Sequence, residues 1–344
     1  MVYIRIDVNR QIGMGHLMRC LSIADALQSL GESITFITAD KKGQELLEER
    51  GYPMICLNSI WDKPELELET LISFLQENPA NYMIVDKYEV TEAYLKKVKE
   101  VVRVVYIDDL NQFIYPCDCL ICYANYSEKF EYPKRYKNTK LLLGTSYAPL
   151  RKEYSNQKEK IINSYGKRIV FLSGGADNYG VTMAFLQELL RQDVLQNYEL
   201  KIICGAFHKD ILQLQELEQE YENIEILIQI NDMWNYMQWA DIAVSAGGTT
   251  LYELSACGTP FITYAIAENQ FDNVKWFEKE NQTFYAGDMR TEIEEKMKKL
   301  VCELNRLRDD KKRREEISKS LQRKVDGKGS LRIAKALNEG EETK

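Results

Sequence analysis

His16 is one of only two histidines in 344 residues, and it stands in the run IGMGH. Gly13 and Gly15 on its N-terminal side let the backbone turn tightly and approach a ligand closely. The first N–H groups of a helix that begins there have no partner inside the helix and attract anions. An imidazole at such a turn can serve as a general base near neutral pH, or it can simply cap or pack the turn. The helix N-terminus disfavours the protonated ring, whereas carboxylates such as Asp7 and Asp109 favour it.

Two further glycine loops carry the right types for anion binding: Ser173, Gly174 and Gly175 in FLSGGAD, and Gly247, Gly248 and Thr249 in SAGGTTLYE. In the second, free amides and the hydroxyls of Thr249 and Thr250 could hold a diphosphate without the lysine of a Walker loop. Glu253, one helical turn on, could accept hydrogen bonds from both hydroxyls of a ribose, or could sit at the positive end of the helix as a surface residue. The first loop does not complete a dinucleotide fingerprint, since Met18 stands where the third glycine belongs, although Asp40 could imitate the ribose-binding acid. Cys117, Cys119 and Cys122 have no nearby fourth ligand, and CDCLICY alternates as a half-buried strand would.

These loops need strands before them and helices after them, and the chain supplies both. VYIRIDV, SITFITA, YMIVD, RVVYIDD and CLICY alternate with helical patterns near His16–Ser29, Gly43–Arg50, Glu65–Gln76 and Thr91–Val101. This rhythm predicts a parallel sheet covered by helices, with Asp7, Asp86, Asp108 and Asp109 at strand ends where such sheets bind ligands. It breaks from Lys140 to about Tyr165 and resumes with KRIVFLSGGAD, ELKIICG, IEILIQI, DIAVSAGG and PFITYAI. The expected organisation is an α/β chain of two Rossmann-like domains facing a cleft: residues 1–150, residues 166–330, and a C-terminal tail over 331–344. Residues 291–323 read as a charged helix packed on one face.

At 344 residues the length suits two domains. A formal charge of −8 argues against a nucleic-acid partner, and no apolar run is long enough to span a bilayer. The first residues enter a strand without a signal-peptide pattern, and five of the eight cysteines are scattered, so a cytoplasmic, reducing location is expected.

IGMGHLMRCLSIADAL, VDKY, IDD, LLGTSYAPLRKEY, FLSGGADN, ADIAVSAGGTTLYELSACGTPFITYAIAENQ and DGKGSLRIAKAL occur in order over nearly the whole chain. This series resembles the nucleotide-sugar hydrolases of pseudaminic acid biosynthesis, a group that includes spore-coat polysaccharide proteins and looks like relatives of the MurG-type glycosyltransferases. The resemblance implies a GT-B fold and hydrolysis of UDP-2,4-diacetamido-2,4,6-trideoxy-β-L-altropyranose, with inversion and without metal or cofactor. It implies His16 as the base that activates water, with Gly13, Gly15, Asp7, Asp86, Tyr88 and Asn269 on the sugar side. It places Ser173, Gly174, Gly175, Gly247, Gly248, Thr249, Glu253, Glu268 and Gln270 at the nucleotide.

UDP is already a stable anion that helix N-termini can hold, so one base is sufficient for this scheme. Tyr88 can equally be a strand-end aromatic, and Asn269 the cap of the next helix. Where the family pattern has an asparagine-rich loop after IDD, this chain reads CDCLICYANYSEKFEY, which leaves the sugar open. A glycosyltransferase on the same fold and a non-catalytic nucleotide-sugar-binding protein are the alternative readings.

Overall fold

The computed structural model describes residues 1–9, 14–155, 158–205, 208–230, 232–281 and 283–339. The chain forms two compact units: Met1–Lys152 together with Gly327–Lys344, and Glu153–Asp326. In the first, strands β1 (Val2–Ile6), β2 (Ile34–Thr38), β3 (Met54–Cys56), β4 (Tyr82–Asp86), β5 (Val104–Ile107), β6 (Cys119–Cys122) and β7 (Lys140–Leu143) form a sheet ordered β3-β2-β1-β4-β5-β6-β7. Every pairing in it is parallel. Helices α1 (Gly15–Ser29), α2 (Gln44–Glu49), α3 (Leu68–Glu77), α4 (Glu92–Lys99) and α5 (Tyr132–Arg135) connect these strands.

The second unit pairs β8 (Arg168–Leu172), β9 (Glu199–Cys204), β10 (Ile224–Ile228), β11 (Ile242–Ala246), β12 (Phe261–Ala265) and β13 (Phe284–Asp288) in the order β10-β9-β8-β11-β12-β13, again parallel. Its helices are α6 (Val181–Arg191), α7 (Ile211–Glu220), α8 (Met233–Trp239), α9 (Thr250–Cys257), α10 (Phe271–Asn281), α11 (Ile293–Asp309) and α12 (Lys311–Lys324). No helix among the described residues is long and apolar enough to cross a membrane.

The central strands VYIRI, YMIVD and IAVSA are buried along their whole length, as strands covered by helices on both faces must be. Strand order reverses between β1 and β4 in one unit and between β8 and β11 in the other. Loops at such a reversal splay apart at the carboxyl ends of the strands and leave a crevice. His16, Asp86, Ser173–Gly175 and Gly247–Thr249 all belong to segments at these two reversals.

Several expectations change. Lys140–Leu143, read as the start of a broken stretch, is edge strand β7 of the first sheet. Residues 331–344, set apart as a tail, contain most of α13 (Gly329–Asn338), whose Ile333, Ala334 and Leu337 are buried and which packs on α1. The charged stretch 291–323 is two helices, because Asp310 accepts a hydrogen bond from the Arg313 N–H at 2.9 Å and starts α12. The cysteine strand is buried along its whole length rather than on alternate residues, and Cys117, Cys119 and Cys122 are free thiols.

Candidate active site

At the first reversal, α1 starts after Met14, which gives it no side-chain cap, and its first turn carries His16 and Arg19 on one face. β4 ends in Asp86, buried directly beneath them. Asp86 Oδ1 lies 2.7 Å from His16 Nδ1, while Arg19 Nε donates to Asp86 Oδ2 at 2.6 Å and Arg19 Nη2 donates to Oδ1. The Cys20 thiol adds a longer contact to Oδ2. Burial pushes the Asp86 carboxyl up, but Arg19 and His16 outweigh it and hold the group below the usual carboxylate range. An ionised carboxylate at that distance requires a proton on Nδ1. When the ring is neutral, Nε2 is then its acceptor, and Nε2 has no partner among the described residues.

Two more strand ends complete the cluster. The Tyr88 hydroxyl, just past β4, donates to Asp109 Oδ2 at 2.8 Å, and its ring meets the His16 ring edge-on at 4.5 Å. Burial and then Asp109 push the Tyr88 phenol up, so it remains a neutral donor. Arg19 Nη1 donates to the Tyr123 hydroxyl at 2.8 Å and to Asp109 Oδ2 at 3.2 Å. The other oxygen, Asp109 Oδ1, is buried without a hydrogen-bond partner among the described residues. Arg19, Asp109 and Tyr123 thus join the site; sequence reading had placed only Asp109 near it, as a rim carboxylate.

Asp7 and Asp86, expected on the sugar side, are both buried and bonded within the protein. Asp7 takes Arg5 Nη1 and the Ala39 N–H on Oδ1, both at 2.8 Å, and Lys87 Nζ on Oδ2 at 2.6 Å. Arg5 also reaches Glu67 at 2.7 and 2.6 Å, so Asp7 belongs to a buried charge network that ties β1 to β4. Asp86 orients His16. Gly15 has open space where a side chain would project, and Gly13 lies outside the described residues.

At the second reversal the loops after β8, β11 and β12 stand side by side. Gly174 has φ +86°, the left-handed region that glycine enters freely, and the buried Ser173 Oγ has no hydrogen-bond partner. Asp177 accepts from the Val181 and Thr182 N–H groups, both at 2.8 Å, so a side chain of the chain itself covers the N-terminus of α6. His208, the second histidine, accepts the Asp210 N–H on Nδ1 at 3.2 Å and faces Thr182 and Asp177 through Nε2; it is a satisfied buried group. By contrast α9 has no side-chain cap at Thr249, and the amides of Thr249 and Thr250 have no partner among the described residues.

Gly247 needs no ligand to explain it, because a Cβ there would meet Val274 Cγ1 at 2.3 Å. Gly248 faces open space, and Gly175 does too. Sequence reading missed Asn273, whose Nδ2 donates to the Gly247 carbonyl at 2.9 Å and the Gly248 carbonyl at 3.2 Å, fixing the loop from α10. Glu253 is half-buried. Glu268 and Asn269 are exposed on a short 3-10 turn, with Glu268 3.8 Å from Arg290. Gln270 Oε1 accepts the Ile266 N–H at 2.9 Å and shapes that turn.

Comparison with known proteins matches residues 169–331 to the glycosyltransferase family 28 C-terminal domain. Spore coat polysaccharide biosynthesis protein SpsG of Bacillus subtilis is 23% identical over 97% of this chain and 96% of its own length. UDP-2,4-diacetamido-2,4,6-trideoxy-beta-L-altropyranose hydrolase of Campylobacter jejuni is 23% identical over 81% of this chain and 96% of its own. An uncharacterized protein of Methanocaldococcus jannaschii is 23% identical over 74% of this chain, which spans about half of that relative, 54%. The crystal structure of MurG from Acinetobacter baumannii superposes with a TM-score of 0.68 at 14% identity, over 98% of this chain and 99% of that one. The chain has the GT-B fold, and its residues 169–331 resemble the glycosyltransferase family 28 C-terminal domain.

Proposed function

We propose that this protein hydrolyses a UDP-linked diacetamido-trideoxy sugar. Water, deprotonated by His16 Nε2, attacks the anomeric carbon. The bond from that carbon to the β-phosphate oxygen breaks with inversion, UDP leaves as the anion, and the proton stays on His16 until it returns to solvent. The observation that carries this reading is the 2.7 Å contact between His16 Nδ1 and the buried Asp86, which fixes the ring as an acceptor at Nε2. Tyr88 and Asn269 are assigned to the sugar. Ser173–Gly175, Gly247–Thr249, Glu253, Glu268 and Gln270 are assigned to the nucleotide, with the uncapped amides at the start of α9 taking the diphosphate. The 23% identity to the altropyranose hydrolase supports the substrate class.

A second reading, an inverting glycosyltransferase, is favoured by the family 28 match over residues 169–331. There the same base would activate an acceptor hydroxyl instead of water. The two are separated by incubating the protein with UDP-linked amino sugars and no acceptor. Hydrolysis predicts release of UDP and free sugar, and His16→Asn should lower that release by about 10²–10⁴-fold, the usual contribution of a general base, while UDP binding by calorimetry persists. Unchanged turnover in His16→Asn sinks the assigned base. Release only after an acceptor is added establishes the transferase. Binding of UDP with no turnover in either assay leaves a binding protein.

A further inference from the structure

Arg19 has no part in bond making, yet it touches His16, the Asp86 beneath it, and Asp109 and Tyr123 beyond. It grips Asp86 through two nitrogens, donates to Tyr123 at 2.8 Å and Asp109 at 3.2 Å, and brings Nη2 to 3.2 Å from His16 Nδ1. Both Arg19 Nη2 and His16 Nδ1 aim at the same oxygen, Asp86 Oδ1. Two consequences follow from that shared oxygen. The guanidinium holds the carboxylate through both oxygens and keeps it ionised, so that Oδ1 also accepts the Nδ1 proton. A second proton on His16 would place an imidazolium beside a permanent cation, with one carboxylate between them.

We propose that Arg19 is a positioning residue that keeps His16 in the neutral form with its proton on Nδ1 and its acceptor at Nε2. The proposal deepens the hydrolase reading and rests on it for its meaning in catalysis. Against His16 lie Asp86 at the end of β4, Tyr88 after it and Arg19 from α1, and these in turn contact Asp109 after β5, Tyr123 after β6 and Cys20 from α1. Arg19 is the one fixed cation in this group. Tyr88, Tyr123 and Cys20 are all pushed up by burial, Tyr123 to about 12, and so stay neutral at working pH. Loss of the guanidinium therefore leaves Asp86 and Asp109 unopposed, and both favour a protonated imidazole.

The test reads the histidines directly by ¹H–¹⁵N NMR of the free full-length protein, with no substrate. His208, buried in the other unit, is the internal control. In the wild type His16 should show the Nδ1–H tautomer. Arg19→Gln should raise the pH at which His16 titrates by one unit or more and leave His208 unmoved. Arg19→Lys, which keeps the cation and is the variant to use if the glutamine protein does not fold, should hold the His16 titration close to that of the wild type and keep the Nδ1–H tautomer.

In turnover, the acid limb of the kcat/KM profile should move up with the NMR titration in Arg19→Gln. A His16 titration unmoved in Arg19→Gln, or one raised by a unit or more in Arg19→Lys, overturns the proposal. Absence of any UDP-sugar turnover in a wild type whose NMR behaves as described overturns the hydrolase reading instead, so the two failures are distinct.

Discussion

Asp86 is buried, yet the base proposed at His16 depends on it. With both oxygens occupied by His16, Arg19 and Cys20, its replacement by asparagine keeps the shape and removes the charge that holds Nδ1–H. The amide can turn its NH₂ toward His16, and Nδ1 then becomes the acceptor while the proton moves to Nε2, the wrong nitrogen for a base. Asp86→Asn should therefore lower kcat about 10²–10⁴-fold with little change in UDP affinity, measured by steady-state UDP release and by calorimetry. A kcat within a few-fold of wild type would show that Asp86 does not set the tautomer. His16 was legible as a base candidate because the glycine turn is local. Its partners were not, since Asp86 is 70 residues away in the chain and Tyr123 is 104 residues from Arg19. Only the packing of strand ends brings them together.

Elements differ in how much of their purpose a sequence displays. The alternation of apolar runs with 3.6-period segments suffices to read α1, β4, β8, β11 and α9, because central parallel strands are continuous hydrophobic runs. β7 was hidden by its edge position, where KLLL is only partly buried and runs directly into a glycine turn. The α11–α12 break was hidden because Asp310 sits among charges that look uniform. Glycines mislead in another way: a GG pair reads as one loop, but the two residues have separate reasons. Gly247→Ala would drive a Cβ into Val274 of α10 and should destabilise by about 1–3 kcal/mol, seen as a lowered midpoint in urea. Gly248→Ala meets nothing within 4 Å and should leave that midpoint in place while weakening UDP binding, because a methyl group would stand where the proposed diphosphate site lies. Equal stability losses in the two variants would refute the packing account of Gly247.

Each unit also stores acid sensitivity in carboxylates held ionised in its interior. Burial raises Asp7, Asp86 and Asp241, but in each case bonded cations or hydrogen bonds outweigh it and the net shift is downward. Asp7 answers to Arg5 and Lys87, and Asp86 to Arg19 and His16. Asp241 answers to Arg168, to Asn163, and to the N–H groups of Lys167 and Arg168 at 3.1 and 3.0 Å. The unfolded chain takes up protons on such groups near pH 4, at about 3.9, while the folded chain still resists them. Stability is thus fully present above that value and is lost as pH falls through the depressed folded values. Urea midpoints should be nearly flat from about pH 6 to 5 and fall steeply below about pH 4. Asp241→Asn is the diagnostic variant: less stable at neutral pH, it should show a shallower acid slope in the unfolding of the unit Glu153–Asp326, by up to about 1.4 kcal/mol per pH unit for the one proton removed. An acid slope identical to wild type would mean that Asp241 titrates alike in folded and unfolded chains, and that the Arg168 pair contributes nothing to the pH dependence.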